Sequence, residues 1–494
     1  MSSGPAFLAA LPAVGAAIAY LVCRWERLAA LVIALVATLA TVLLWVVPLE
    51  ATVSIGQWVV DISRETSQPP FVWALTPTAR AFLAFIFATG ALASLAAVFV
   101  PQGQSFAPMA GLLLAGSPVV ALLVKPAGWS PIALAFLAVL SVPLIQGGRV
   151  GSVRGAIRWP WLPMIALMPF LIIPWYREQV SLSPGNPTMS FPTARLLGWG
   201  ILLLLAPAPL HGGRTAMMAE ARPVAAALLA LVWDGLTLLV VHELLRASPG
   251  MVEHFNLAAW LTPMALLTVL WGGVAAFGQR DFARLWGFSA LHDYGLLLLA
   301  ISLGPASGRG WTLVLAMLVT RAATLLLGGA GLAALQGAVE NTEFDQVRGL
   351  ARRLPWTTAA TLASGFGLAG LPLTPGFAGR LAVWAAVGYT HPHWQWPLLL
   401  AAVLVAVGYW RGMRALVSPL SNPRIPRESL AVALWQFVLL ISALALSIAP
   451  QIVGAIPPLA GVEWTATSTF PWPSSTHCPF QAWMGFTHSD ISGI

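Results

Sequence analysis

Apolar stretches of about 20 residues recur from one end of this chain to the other, and nothing else in the sequence limits its fold so tightly. Residues 28–47 read LAALVIALVATLATVLLWVV, and 79–100 and 223–245 are similar. A helix rises about 1.5 Å per residue, so each such stretch matches a hydrocarbon layer of about 30 Å. In lipid every backbone polar group must find its partner inside its own segment or in a closed barrel. The stretches are continuous and rich in Leu and Ala rather than alternating with period two, so they read as helices. With 58% hydrophobic and 9% charged residues and a mean hydropathy of +0.82, one water-facing core cannot absorb the chain. The expected fold class is all-α integral membrane, with about fourteen transmembrane helices.

The expected spans are 6–23, 28–47, 79–100, 106–124, 129–146, 158–174, 195–210, 223–245, 257–277, 284–303, 311–336, a broken 356–390, 396–410 and 429–448. The gaps at 48–78, 175–194 and 337–355 and the tail from 449 are read as loops, each too short for a catalytic module. The first apolar segment follows MSSGPAF, without a basic start or a convincing cleavage site, and is read as a span. The loops around 24–27, 101–105, 147–158, 211–222, 278–284, 337–355 and 411–428 lie on one side and hold most of the basic residues, with Arg214 and Arg222 counted in the fourth of them. By the positive-inside rule these face the cytoplasm, which puts both termini outside the cell's inner membrane and makes the number of spans even.

The net charge of +8 therefore reports topology, and no nucleic-acid partner is expected. Cys23 and Cys478 have no metal-ligand spacing, no CxxC set offers an iron–sulfur site, and no GxGxxG follows a strand. No catalytic site, metal or cofactor is expected in this chain, and redox chemistry would belong to its partners. The last 31 residues are rich in Pro, Ser, Thr and Trp, with aromatics suited to the outer interface.

Two apolar segments are interrupted. Residues 205–213, LAPAPLHGG, hold Pro207 and Pro209; residues 369–379, AGLPLTPGFAG, hold Pro372 and Pro375. Proline removes a backbone donor and clashes with the preceding turn, so each site is expected to unwind or kink. Broken helices in corresponding places of two halves point to an inverted-repeat transporter with a path near the midplane, against the plainer reading of kinked packing helices. Ionisable residues sit deep in the spans: Asp234, His292, Asp293 and Arg321, with Arg380 after the second break. A charge at the bilayer centre costs at least about 2.5–3.5 kcal/mol, so these side chains are expected to face the bundle and pair. Either a static ion-pair set or a hydrated polar axis would satisfy that requirement.

Three stretches carry a family resemblance. Residues 349–384, GLARRLPWTTAATLASGFGLAGLPLTPGFAGRLAVW, resemble the glycine–proline signature of the antiporter-like subunits of respiratory complex I and its relatives. Those relatives include cation/proton antiporter complexes, membrane-bound hydrogenases and inorganic-carbon uptake complexes. Residues 272–304 are similar to the same family's Gln-x-Asp loop and the span after it, and 207–224, PAPLHGGRTAMMAEARPV, are a weaker match to its Pro-Phe-His stretch. The resemblance covers about residues 80–415. The tail lacks the long lateral helix of one member of that set, which places the chain nearer the shorter members.

The resemblance implies two inverted five-helix repeats, each holding half of a proton path, in a complex with other membrane subunits and soluble redox or other partners, bathed by lipid. The organisation expected is N-terminal spans at 1–105, a first repeat at 106–245, a second at 257–410, and a last span with an outer tail at 411–494. The family's path uses a glutamate on the fifth span and lysines on the seventh and eighth. Here span 129–146 has no Glu, and Leu204 and Trp233 occupy the lysine positions. Later positions hold Arg321 and Arg380, and Lys125 is the one lysine against 24 arginines. Arginine stays protonated and cannot relay a proton. The transferable groups are then Asp234, His292 and Asp293, with His211 and Glu220 near the inner end and His242 and Glu243 near the outer end of the eighth span. The expected function is a subunit of a complex I-like redox-driven proton-translocating complex, its path partly degenerate and mainly in the second repeat. The alternatives are a structural subunit that does not pump, or the transport subunit of a cation/proton antiporter or carbon-uptake complex.

Overall fold

The computed structural model describes residues 4–46, 52–55, 58–61, 66–68, 71–125, 128–147, 153–182, 190–247, 255–303, 310–339, 341–419 and 427–448. The expectations for Cys478 and the tail from 449 lie outside them. The first half contains α1 (Gly4–Leu21), α2 (Glu26–Val46), α3 (Pro77–Phe99), α4 (Phe106–Ala121), α5 (Trp129–Leu140), α6 (Val142–Gln146), α7 (Arg154–Leu182), α8 (Ser190–Leu205), α9 (Gly212–Glu220) and α10 (Pro223–Arg246). The second contains α11 (Leu257–Phe277), α12 (Phe282–Ser302), α13 (Gly310–Ala338), α14 (Pro355–Ala369), α15 (Phe377–Thr390), α16 (Gln395–Val417) and α17 (Leu430–Ile448). Ten described helices are long and apolar enough to cross a membrane, and shorter apolar helices lie at Ala6–Leu21, Phe106–Ala121 and Pro192–Leu205.

Local chemistry sets the starts of the helices. Thr76 caps α3 by accepting from the Ala79 amide at 3.1 Å, with Pro77 in the first turn, where a missing donor costs nothing. Asp281 caps α12 through the Ala283 amide at 2.6 Å, and Asn256 caps α11 through the Ala259 amide at 3.0 Å.

The faces are arranged for lipid. On α2 the large side chains Leu28, Leu31, Leu35, Leu39 and Val42 form an exposed stripe at helical spacing, while Ala29, Ala30, Ala34, Ala37 and Ala40 are buried. Small residues inward and large apolar ones outward let backbones approach in the absence of a water-driven core. At the centre the pattern changes: every residue of α10 from Pro223 to Val241 is buried, as is all of α12 except Arg284 and Phe288. Gly272 of α11 permits the closest approach to α12, since a Cβ there would meet the His292 backbone nitrogen at 2.4 Å.

Three expected boundaries shift. The span placed at 195–210 is helical over Ser190–Leu205 and stops at its break; that at 158–174 extends over Arg154–Leu182; that at 396–410 runs on to Val417. The loop at 48–78 contains strands: β1 (Thr52–Ile55) pairs antiparallel with β2 (Trp58–Asp61), and β3 (Thr66–Gln68), β4 (Phe71–Trp73) and β5 (Leu123–Lys125) form an antiparallel sheet in that order. The polar–apolar alternation of TVSI is a period-two signal for the first strand, and the β-branched, aromatic run of WVVD suits the second.

Candidate functional site

Both helix breaks feed the centre of the bundle. At the first, α8 stops at Leu205 and α9 begins at Gly212, with Pro207 and Pro209 between them. Polar groups released by the unwinding are taken up by neighbouring helices. The Tyr294 hydroxyl of α12 donates to the Leu205 carbonyl at 2.5 Å, and the Ala208 amide donates to Thr268 Oγ1 of α11 at 2.8 Å. At the second, Gly370 closes α14 in the left-handed region (φ +77°), and the Leu371 amide reaches back to the Phe366 carbonyl at 3.1 Å. Pro372 and Pro375 then carry the chain to Gly376 (φ +80°), and α15 restarts at Phe377. Thr324 of α13 donates to the Pro375 carbonyl at 3.4 Å, so this break also leans on a helix that carries site residues.

Five charged side chains meet between these breaks. Asp234 lies halfway along α10, with one carboxylate oxygen bound by Arg214 of α9 and the other by Nε of Arg321 of α13 at 3.0 Å. Arg321 also binds Asp293 of α12 and donates through Nη1 to the Ala290 carbonyl at 3.0 Å. Asp293 completes the series with Arg380 of α15, Nη2 to Oδ1 at 2.6 Å. The order Arg214, Asp234, Arg321, Asp293, Arg380 is one line of alternating charge through five helices. Asp234, Arg321, Asp293 and Arg380 are each at most 2% exposed, and Arg214 is 8% exposed. The Tyr294 ring supports the line, with the Arg214 guanidinium carbon 3.6 Å and the Arg321 carbon 5.6 Å from its centroid.

The remaining expected residues lie apart from this line. His292 is fully buried beside Asp293 but binds the Val269 carbonyl of α11 through Nδ1 at 3.2 Å. His211 is half-buried at the start of α9, its ring 6.3 Å from that of Trp271. Glu220 accepts from the Gly155 amide at 2.7 Å and so caps α7, and His242 and Glu243 lie 3.5 Å apart at the far end of α10. Arg214 corrects the sequence reading, which counted it with the cytoplasmic loop residues. Helix resumes at Gly212 immediately after the break, so Gly-Gly-Arg is the first turn of a packed helix and turns the guanidinium inward. The available signal was its place three residues after His211, at the re-entry of a broken helix.

The backbone at Gly376 holds Arg380 in place. An added Cβ would lie 2.0 Å from Arg380 Nη1, on a residue whose φ already disfavours any side chain. Gly376→Ala is expected to cost at least about 1–2 kcal/mol from the left-handed backbone alone, more if Arg380 is pushed from Asp293. Gly212→Ala, where nothing lies within 4 Å of the new carbon, is expected to be neutral. Denaturant midpoints of the two variants in detergent provide the comparison, and equal midpoints would contradict this account of Gly376.

The comparisons with known proteins agree with this architecture. Residues 179–425, half of the chain, match the family profile described as NADH:quinone oxidoreductase/Mrp antiporter, TM. Among curated proteins, the chain is 28% identical over 278 residues to NADH-quinone oxidoreductase subunit N of Acidithiobacillus ferrooxidans, covering 54% of this chain and 55% of that one. It is 32% identical over 230 residues to the subunit N of Chromohalobacter salexigens, covering 45% and 46%. The chain thus spans about half the length of the curated relatives it matches. Among solved structures, a chain of the Mrp complex from a Dietzia species superposes with a TM-score of 0.73 at 16% identity, covering 93% of this chain and 96% of that one. A chain of respiratory complex I from Thermus thermophilus gives 0.72 at 18%, covering 92% and 98%. At those identities the likeness is one of fold. Taken with the profile match over both broken helices and the charged line between them, it makes this chain a multi-pass membrane protein belonging to the NADH:quinone oxidoreductase/Mrp antiporter transmembrane family.

Proposed function

We propose that this chain is a membrane subunit of a complex I-like, redox-driven proton-translocating complex, and that its proton path follows the line from Asp234 to Arg380. The observation that carries this reading is the continuity of the line: each carboxylate is shared by two guanidiniums, so a change at one end alters the pairing of the next group. In this reading the protein has fourteen spans and two inverted five-helix repeats, 106–245 and 257–410, between N-terminal spans at 1–105 and a last span with its tail at 411–494. Both termini lie on the outer side of the cell's inner membrane. Other membrane subunits adjoin it in lipid, soluble partners carry the redox chemistry, and this chain binds no cofactor of its own.

The arginines set the pairing and the acids move the proton. Arg321 holds Asp234 and Asp293 at once, and a guanidinium does not give up its proton. A carboxylate released from Arg321 becomes a place for a proton, with His292 adjacent to Asp293. His211 and Glu220 would serve the inner end, and His242 and Glu243 the outer end of α10. The path lies mainly in the second repeat because the first offers few carriers. Leu204 is buried, and Trp233 packs edge-on against Trp159 with centroids 5.0 Å apart. The two hydroxyls of the fifth span are engaged, Ser130 donating to the Leu123 carbonyl at 2.8 Å and Ser141 accepting from Trp159 Nε1 at 2.9 Å.

A second reading, a structural subunit that does not pump, is favoured by the ion pairing, since each of the four carboxylate oxygens of Asp234 and Asp293 lies at ion-pair distance from a guanidinium. A role as the transport subunit of a cation/proton antiporter or carbon-uptake complex would use the same line with a different soluble partner. Proton uptake by the purified complex in liposomes separates the first two. Asp293→Asn is expected to lower coupled uptake more than any single substitution in residues 129–210, such as Ser141→Ala. Equal coupling in the wild type and Asp293→Asn would support the structural reading.

A further inference from the structure

The buried line does not balance. It contains three guanidiniums and two carboxylates, a surplus of one positive charge on side chains at most 8% exposed. Lysine could shed such a surplus by losing its proton, but arginine does not. Both oxygens of Asp234 accept from a guanidinium, and both of Asp293 lie at ion-pair distance from one, although Asp293 Oδ1 accepts no hydrogen bond from Arg380. The nearest further carboxylate on α9, Glu220, is held at the Gly155 amide, and among the described residues no third acid pairs with Arg214, Arg321 or Arg380. A buried charge without a counter-charge is expensive, so the surplus calls for an anion.

Geometry places that anion at the Arg214 end. A cavity of about 10 Å³ lies there, lined by Arg214, Thr215, Met217, Met218, Gly287 and Arg321, and a space of that size holds one water-sized sphere. Nη1 of Arg214 is buried and has no hydrogen-bond partner, while its other terminal nitrogen is taken by Asp234. Two guanidiniums in the wall disfavour a cation, and the small volume suits a compact anion better than a carboxylic acid or phosphate ester. The thioethers of Met217 and Met218 can yield slightly to a larger sphere.

We propose that this cavity is a binding site for one small monovalent anion, of fluoride to chloride size, held between Arg214 and Arg321 as the counter-charge of the buried line. The site requires only the charge count and the cavity, so it stands whether or not the chain moves protons. Its chemistry is that of a fixed structural ion, one whose departure would leave the guanidiniums repelling one another.

Thermal unfolding of the purified protein provides the test. The melting temperature is measured in potassium gluconate, with fluoride or chloride titrated in at constant ionic strength and pH. At least one of the two halides is expected to raise it saturably, by about 2–3 °C at a hundredfold excess over Kd. Arg214→Gln leaves two cations on two anions and is expected to abolish the effect. Asp234→Asn leaves three cations on one anion and is expected to lower the halide Kd by about tenfold or more. The same rise in the wild type and Arg214→Gln would mark a general salt effect and overturn the proposal. No rise in the wild type with either halide would overturn it as well, leaving a cavity for water only.

Discussion

Asp293→Ala is expected to cost the folded chain about 3–5 kcal/mol, the range for removing one partner of a buried ion pair. Asp293 is fully buried and serves two guanidiniums, binding Arg321 through one oxygen and Arg380 through the other. Without it Arg380 loses the one carboxylate it touches among the described residues, and Arg321 is left with only Asp234, which it already shares with Arg214. Three cations would then face a single anion. Arg380→Met works in the opposite direction, because it leaves Arg214 and Arg321 balanced by Asp234 and Asp293 and fills the space with a flexible apolar chain. Its cost is expected to be nearer the ordinary 1 kcal/mol of a point substitution. Denaturant unfolding in detergent, monitored by tryptophan fluorescence, measures both. Equal losses would mean that charge balance does not set the stability of the bundle centre.

The sequence revealed more of this site than a propensity reading would. Proline pairs at 207/209 and 372/375 are visible because proline cannot continue a helix, and the helices stop at Leu205 and Ala369. Asp234, Asp293, Arg321 and Arg380 stand out because a charge in the middle of an apolar run has nowhere to go but inward. Arg214 escaped notice for the converse reason. Its neighbours, Gly212, Gly213 and Thr215, resemble a loop, and only the packing of α9 beneath α10 and α12 shows the side chain to be internal. His292 was legible as deep, but its bond to the Val269 carbonyl rather than to an acid depends on the approach of α11 at Gly272, which no local pattern encodes. The short strands between residues 52 and 73 were hidden in an apolar chain where a long gap is most simply read as a loop.

Arg321→Leu separates stability from transport. Removing this residue leaves Arg214 with Asp234 and Arg380 with Asp293, two neutral pairs, so the loss in stability is expected to stay within roughly 1–3 kcal/mol. What disappears is the only described side chain that touches both carboxylates. If protons move because pairing at Asp234 is felt at Asp293, cutting that link removes the coupling while the fold survives. An added barrier of about 1.4 kcal/mol corresponds to a tenfold slower step, and coupled uptake is expected to fall by at least that order. A decrease of this size in a protein that still assembles is hard to attribute to misfolding.

The most direct measurement is the number of protons taken up per electron by the complex in sealed liposomes, compared between the wild type and Arg321→Leu at equal redox turnover. A lower ratio in the variant, with assembly and turnover unchanged, is the result predicted by a proton path through the Asp234–Arg321–Asp293 line. An identical ratio would contradict it and leave the line as a structural bond between helices.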